Sequence, residues 1–92
     1  MRLLITASFA KATKKLHAPQ KVELDAALKL ISKDPIIGEA KVGDLVGVYV
    51  YTFRLFQQQV LLAYRIVDPE NIKLLTLGSH ENFYRDLKRQ AK

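Results

Sequence analysis

The 92-residue chain contains no cysteine and no tryptophan, one methionine, three prolines and four glycines. Without cysteine there is no disulfide framework and no thiolate metal site, which fits a reducing compartment. The two histidines, His17 and His80, lie far apart in the chain. Carboxylates such as Asp44, Asp68 and Glu70 are scattered, with no metal-ligand spacing among them. No metal and no cofactor are therefore expected. Hydrophobic runs are short, none approaches the length that crosses a bilayer, and no membrane partner is expected. The opening "MRLLITASFAKA" carries one arginine and an A-x-A-like end. Thr6 and Ser8 interrupt its apolar run, so it reads as a strand and not as a secretory leader.

Acidic residues are also scarce. Nine Asp and Glu stand against fifteen Lys and Arg, a net charge of +6. A surface this basic favours an anionic partner such as nucleic acid or an acidic protein. Otherwise the composition is that of a globular chain, 49% hydrophobic and 26% charged. The length corresponds to one domain over residues 1–92.

The periodicity changes along the chain. Residues 2–6, "RLLIT", read as a short strand. "TASF" supplies a turn, and Ser8 reads as the N-cap of a first helix with Phe9, Ala12 and Leu16 on one face. His17 stands at the end of that helix, since Pro19 lacks an N–H and disfavours helix at Ala18. A second helix is expected over 19–33, with Val22, Leu24, Ala27, Leu28, Leu30 and Ile31 as its apolar stripe. Asp34-Pro35 stops it. Residues 36–47 read as a loop, whose three glycines lack any phosphate-binding pattern and serve turns. From Val48 the period becomes two. "VYVYTFRLF" and "VLLAYRIV" form a hairpin with "QQQ" at its tip, and "NIKLLTLG" is a third strand. Ser79 caps a last helix running to about Lys88. The expected fold is α+β in the order β-α-α-β-β-β-α, a helical hairpin packed on a small, mainly antiparallel sheet with a short C-terminal helix.

The hairpin register follows from the pattern. If Leu55 opposes Val60, then Tyr49, Tyr51, Phe53 and Leu55 share a wholly apolar side with Val60, Leu62, Tyr64 and Ile66. That side should pack on the helices. Arg54 and Arg65 then fall on the other, mixed side. Their stems can cover apolar surface while the heads reach water, or the guanidinium forks can cradle a phosphate. In the last helix, Phe83 and Leu87 share a face and anchor it, leaving His80 and Tyr84 at the rim.

Several pieces together resemble the small toxins of the RelE/ParE superfamily of bacterial type II toxin–antitoxin modules. They are the helical hairpin ending in "KDP", then "GDLVGVYVYTFRL", "VLLAYRIVD" and "LLTLGSHENFYRDLKR". The last is similar to the subgroup labelled ParE-like. The resemblance covers nearly the whole chain and implies a cytoplasmic bacterial toxin held inactive by a cognate antitoxin. It also implies one of two activities: cleavage of messenger RNA on the ribosome, or poisoning of DNA gyrase. In the first, the ribose 2′-OH attacks its own 3′ phosphate, so the protein supplies only a base, an acid and positive charge. By resemblance, His80 and Tyr84 match the acid–base and aromatic positions after the last strand, and Arg54 matches a basic strand position. Glu39 falls near a carboxylate base. Lys41, Arg85, Lys88 and Arg89 would bind nucleic acid; in the second activity Arg85, Lys88 and Arg89 would contact gyrase or DNA. The chain departs from the pattern at Leu61, where many RelE-like nucleases carry an arginine three residues before the strand tyrosine, here Tyr64. Arg65 lies on the same face and is the available substitute, from a different height. A third reading is a basic domain that has lost toxicity and persists as a partner of an antitoxin.

Overall fold

The computed structural model describes residues 2–79 together with Phe83, Tyr84 and Leu87. Strand β1 (Arg2–Ile5) leads into helix α1 (Ala7–Thr13) and helix α2 (Ala18–Lys33). A two-residue strand β2 (Glu39–Ala40) follows, then β3 (Val48–Leu55), β4 (Gln58–Asp68) and β5 (Asn71–Gly78). Phe83, Tyr84 and Leu87 are helical. The sheet order is β1-β5-β4-β3-β2. Only β1 runs parallel to its neighbour, β5; the other pairs are antiparallel. This is the expected α+β architecture with one strand added, because β2 lies inside the segment that reads as loop. Two residues are too few to show a period of two.

Local chemistry sets the element boundaries. Thr6, not Ser8, is the N-cap of α1. It is extended, and its hydroxyl oxygen accepts the Phe9 N–H at 3.2 Å. The same hydroxyl lies 2.9 Å from the carbonyls of both Leu74 and Leu75, tying the β1–α1 corner to β5. Ser8 falls inside the helix, 3.4 Å from the Thr76 hydroxyl. His17 begins α2 and does not end α1, which stops at Thr13. The His17 N–H donates to the Gln20 side-chain oxygen at 2.9 Å, half of a capping box, with Pro19 in the first turn. Of the stripe expected on α2, Leu24, Ala27 and Ile31 are buried and Leu28 partly so, whereas Val22 and Leu30 are exposed. A helix resting on a sheet buries a face little wider than 100°, and these two fall outside it.

The hairpin register differs from the expected one by two residues. Leu55 pairs with Gln58, and Val60 pairs with Phe53. The turn is therefore the two residues Phe56-Gln57, and Gln58 and Gln59 belong to β4. A shift of two preserves the faces. Tyr49, Tyr51, Phe53 and Leu55 still share a side with Val60, Leu62, Tyr64 and Ile66, and that side packs on Phe9, Leu24 and Ile31 of the helices. A bulge at Leu75, between the pairs Ala63–Thr76 and Tyr64–Leu74, turns Leu75 to the opposite face. There a second core forms. Leu45, Val48, Val50, Leu61, Ala63 and Leu75 are closed over by Phe83 and Leu87, which anchor the C-terminal segment as expected. Among the described residues, no helix is long and apolar enough to cross a membrane.

Candidate functional site

The second face of the sheet carries the candidate site. Its middle is the apolar core under Phe83 and Leu87, so polar groups are confined to its ends and edges. Strand β2 forms one edge, pairing Glu39 with Val50 and Ala40 with Tyr49. The Lys41 N–H donates to the Val48 carbonyl at 2.9 Å and continues that edge by one residue. Glu39 and Lys41 then point to the same side, two residues apart.

Three sequence-predicted residues meet there. The Lys41 ammonium is 3.2 Å from the Glu39 carboxylate and 5.3 Å from the centroid of the Tyr84 ring. The Tyr84 ring meets Phe83 edge-on, with centroids 5.1 Å apart, and Tyr84 is only half-buried. A hydrogen bond with Tyr84 raises the Lys41 pKa above its ordinary value; desolvation opposes this, and the hydrogen bond with Glu39 adds to the rise. Lys41 therefore keeps its charge in a half-buried place. Glu39 is 75% exposed at its side chain. Its observed position is that of a counter-charge to Lys41.

Arg65 lies two strands inward from Lys41. It pairs with Val48 on one side and with Lys73 on the other. Its guanidinium folds back over the β2–β3 loop, 3.5 Å from the Val46 carbonyl. A Cβ on Gly47 would lie 2.7 Å from that guanidinium, and Gly47 has φ +89. The positive φ favours glycine there, whereas the arginine head could swing aside from a Cβ. Lys73, opposite Arg65, is exposed. Two cations directly across a strand pair repel each other, and an anion resting between them removes the repulsion. The sequence pattern does not single out Lys73, because the bulge at Leu75 changes which β5 residues share the face of Arg65. Its only signal is the charge itself within "NIKLLTLG".

Arg54 is not part of this cluster. It is exposed and pairs with Gln59 near the hairpin turn. Six residues of strand separate it from Val48, the partner of Arg65, which is ~20 Å. The two arginines cannot grip one phosphate. Nor does Arg65 take the place expected of an arginine at Leu61. Leu61 is 4% exposed, pairs with Thr52 and Gly78, and lies under the C-terminal segment. Arg65 is four residues further along the same strand, ~13 Å away. Tyr64, the strand tyrosine of the pattern, faces the helix side and is fully buried. Its hydroxyl donates to the Pro35 carbonyl at 2.6 Å and accepts the Gly38 N–H at 3.1 Å. It fastens the turn after α2 and does not line the site. His80, Arg85, Lys88 and Arg89 lie outside the described residues.

A small basic α+β domain with a helical hairpin on one face of the sheet, and a polar edge around a C-terminal tyrosine on the other, is a fold shared with bacterial toxins. Residues 3–88 match the family model of the ParE-like toxin of type II bacterial toxin–antitoxin system, and the chain belongs to that family. Among solved structures, the chain is similar to a mutant of the E. coli toxin RelE in the free state, with a TM-score of 0.74 and 19% identity over 98% of this chain and 92% of that one. It is also similar to a chain of the intact E. coli RelBE toxin–antitoxin complex, with a TM-score of 0.72 and 20% identity over 87% of this chain and 96% of that one. A third likeness is to mutant RelE in complex with an antitoxin RelBc peptide, with a TM-score of 0.69 and 18% identity over 91% and 90% of the two chains. At these identities the likeness is one of fold. Comparison with curated proteins found no match.

Proposed function

We propose that this toxin is a cytoplasmic bacterial endoribonuclease that acts on messenger RNA at the ribosome without a metal, and that a cognate antitoxin neutralises it. The observation that carries the reading is the meeting of Lys41 with Tyr84, two strands from the Arg65–Lys73 pair, on one end of one sheet face. The substrate brings its own nucleophile. The 2′-oxygen attacks the adjacent phosphorus, the P–O5′ bond breaks, and a 2′,3′-cyclic phosphate and a 5′-hydroxyl result. A base that takes the 2′-OH proton, positive charge at the phosphorus and a proton donor for O5′ are what the protein must supply. Lys41 and the Arg65–Lys73 pair supply the charge. His80 supplies proton transfer, and Tyr84 orients the ribose or stacks on a base. Arg54, far along the sheet, serves a phosphate several nucleotides along the same strand. An acidic antitoxin segment suits the +6 surface, and the RelBE complex is a precedent for such a partner in a similar fold.

One observation favours a second reading, a gyrase poison without chemistry of its own: the buried Leu61 where many nucleases of the superfamily keep arginine. Induced expression of wild type and His80→Ala separates the two. The nuclease reading expects growth arrest with messenger fragments mapped by primer extension, both lost in the variant. Intact messenger together with inhibited supercoiling, unchanged by His80→Ala, would overturn it in favour of gyrase.

A further inference from the structure

Two adjoining clefts open on the opposite, helix-bearing side of the sheet, between α1 and the ends of β4 and β5. Each holds about 340 Å³, and they share Ala12, Lys15 and Leu77. The first is lined by Lys15, Leu16, Gln20, Val60 and Leu77, and ends at Gly78 and Ser79. The second continues along α1 past Lys11, Ser8 and Thr76. Neither belongs to the Lys41–Tyr84 cluster, which is on the other face.

The chemistry of the lining is specific in kind. The floor is apolar, with Val60 and Leu77 almost fully buried. The rim is cationic and amide-bearing. The Gln20 oxygen is taken by the His17 N–H, which leaves its amino group as a donor on the wall. Lys11 and Lys15 are four residues apart along α1, hence neighbours on one helical face and close in space. Among Lys11, Lys15, Gln20 and the Ser8 and Thr76 hydroxyls there is no carboxylate to balance the two ammonium groups. An apolar floor takes a flat base, and two ammonium groups at one rim take successive phosphates. The first cleft ends on Ser79, the residue before His80.

We infer that this double cleft is a nucleotide-binding groove for single-stranded RNA, in which a base rests on Leu16, Val60 and Leu77 while Lys15 and Lys11 hold consecutive phosphates. It rests on the ribonuclease reading only for its biological use. Binding itself is independent of cleavage. The groove would lead a strand along α1 to the chain segment that begins at His80, so that interactions far from the reacting bond help to place it.

The test uses the full chain and a short mixed-sequence RNA, fully 2′-O-methylated so that it cannot be cleaved. Affinity is read by fluorescence anisotropy over a range of salt. Lys15→Glu is expected to weaken binding about tenfold and to flatten the salt slope by ~0.7 for each phosphate that the groove no longer holds. Lys33→Glu makes the same change in net charge at the far end of α2, ~20 Å of helix from Gln20, and is expected to leave both nearly unchanged. Leu77→Lys would damage the core, so Ala12→Gln, which narrows both clefts from the half-buried helix surface, serves as the second variant and is expected to weaken binding without changing the salt slope. Equal losses in Lys15→Glu and Lys33→Glu would overturn the groove and leave only a general charge effect. So would unchanged RNA binding in Lys15→Glu alongside abolished binding of an acidic antitoxin peptide, which would make the clefts a protein-docking surface. Wild type that binds RNA through the groove yet cleaves no messenger would sink the ribonuclease reading and leave the groove standing. Cleavage with no difference between the two charge reversals would do the reverse.

Discussion

The Lys41 ammonium stands 5.3 Å from the centroid of the Tyr84 ring, so a residue on the sheet's edge strand holds one from the far end of the chain. Lys41→Met removes a cation–π interaction and a hydrogen bond, and is expected to cost about 0.5–1 kcal/mol in urea unfolding at neutral pH. The sign of the pH dependence follows from the raised Lys41 pKa. Its contribution is fully present below the ordinary lysine value of 10.5 and fades as pH climbs through the higher folded value. The gap between wild type and Lys41→Met should therefore shrink in strongly alkaline buffer. A gap that widens there would remove Lys41 as the anchor of Tyr84.

Tyr64 bridges Pro35 and Gly38 from a fully buried position. Tyr64→Phe removes two hydrogen bonds to the part-buried Gly38 N–H and Pro35 carbonyl, at a cost of about 1–2 kcal/mol by denaturant titration. Gly38→Ala puts a Cβ 2.6 Å from the same hydroxyl. It should destabilise wild type more than it destabilises Tyr64→Phe, because the clash is with the atom the first substitution removes. Additive losses would mean that the two residues do not meet through that oxygen. Burial raises the Tyr64 pKa above its ordinary 10.0, so the stability its neutral phenol lends is also lost only as pH rises through the higher value.

Leu61→Arg restores the residue that the superfamily pattern leads one to expect. Because Leu61 lies in the second core beneath Phe83 and Leu87, an arginine there is buried without a partner. The expected result is a loss of about 3 kcal/mol or more and a lower Tm, with no gain in RNA cleavage. A stable variant with increased cleavage would show that the C-terminal segment lifts away from this place in the working protein.

Phe56 occupies the first position of the two-residue hairpin turn with φ 62 and is more than half exposed. A bulky residue is strained in that conformation, while asparagine adopts it readily. Phe56→Asn should raise stability by up to about 1 kcal/mol in thermal melts. A fall in Tm would mean that the exposed ring contributes packing that outweighs the strain.

The hairpin shows how far the pattern alone reaches. Alternation from Val48 to Val67 identifies two strands and sorts their residues onto two faces, since period two survives any even shift of register. It cannot choose between Leu55–Val60 and Leu55–Gln58, because both give the same faces. The turn decides, and its first residue is a phenylalanine in a conformation more often taken by glycine or asparagine. The N-cap of α1 illustrates the same limit. In isolation Ser8 is the better cap, and Thr6 prevails because β5 presents the Leu74 and Leu75 carbonyls to its hydroxyl.

Composition, helix stop signals and strand periodicity by themselves determined the α+β class, the two helices, the hairpin and the third strand, since these depend on local preferences and on which face is apolar. The resemblance of "LLTLGSHENFYRDLKR" and the segments before it led to the toxin family. Only the tertiary structure decided which charged residues lie together. It brought Glu39, Lys41 and Tyr84 to one edge, paired Arg65 with Lys73, held Arg54 apart and put Leu61 under a second core. The reason is that these relations depend on a bulge, a register and a two-residue edge strand. Each is set by hydrogen bonds between residues distant in sequence, and none leaves a period to read.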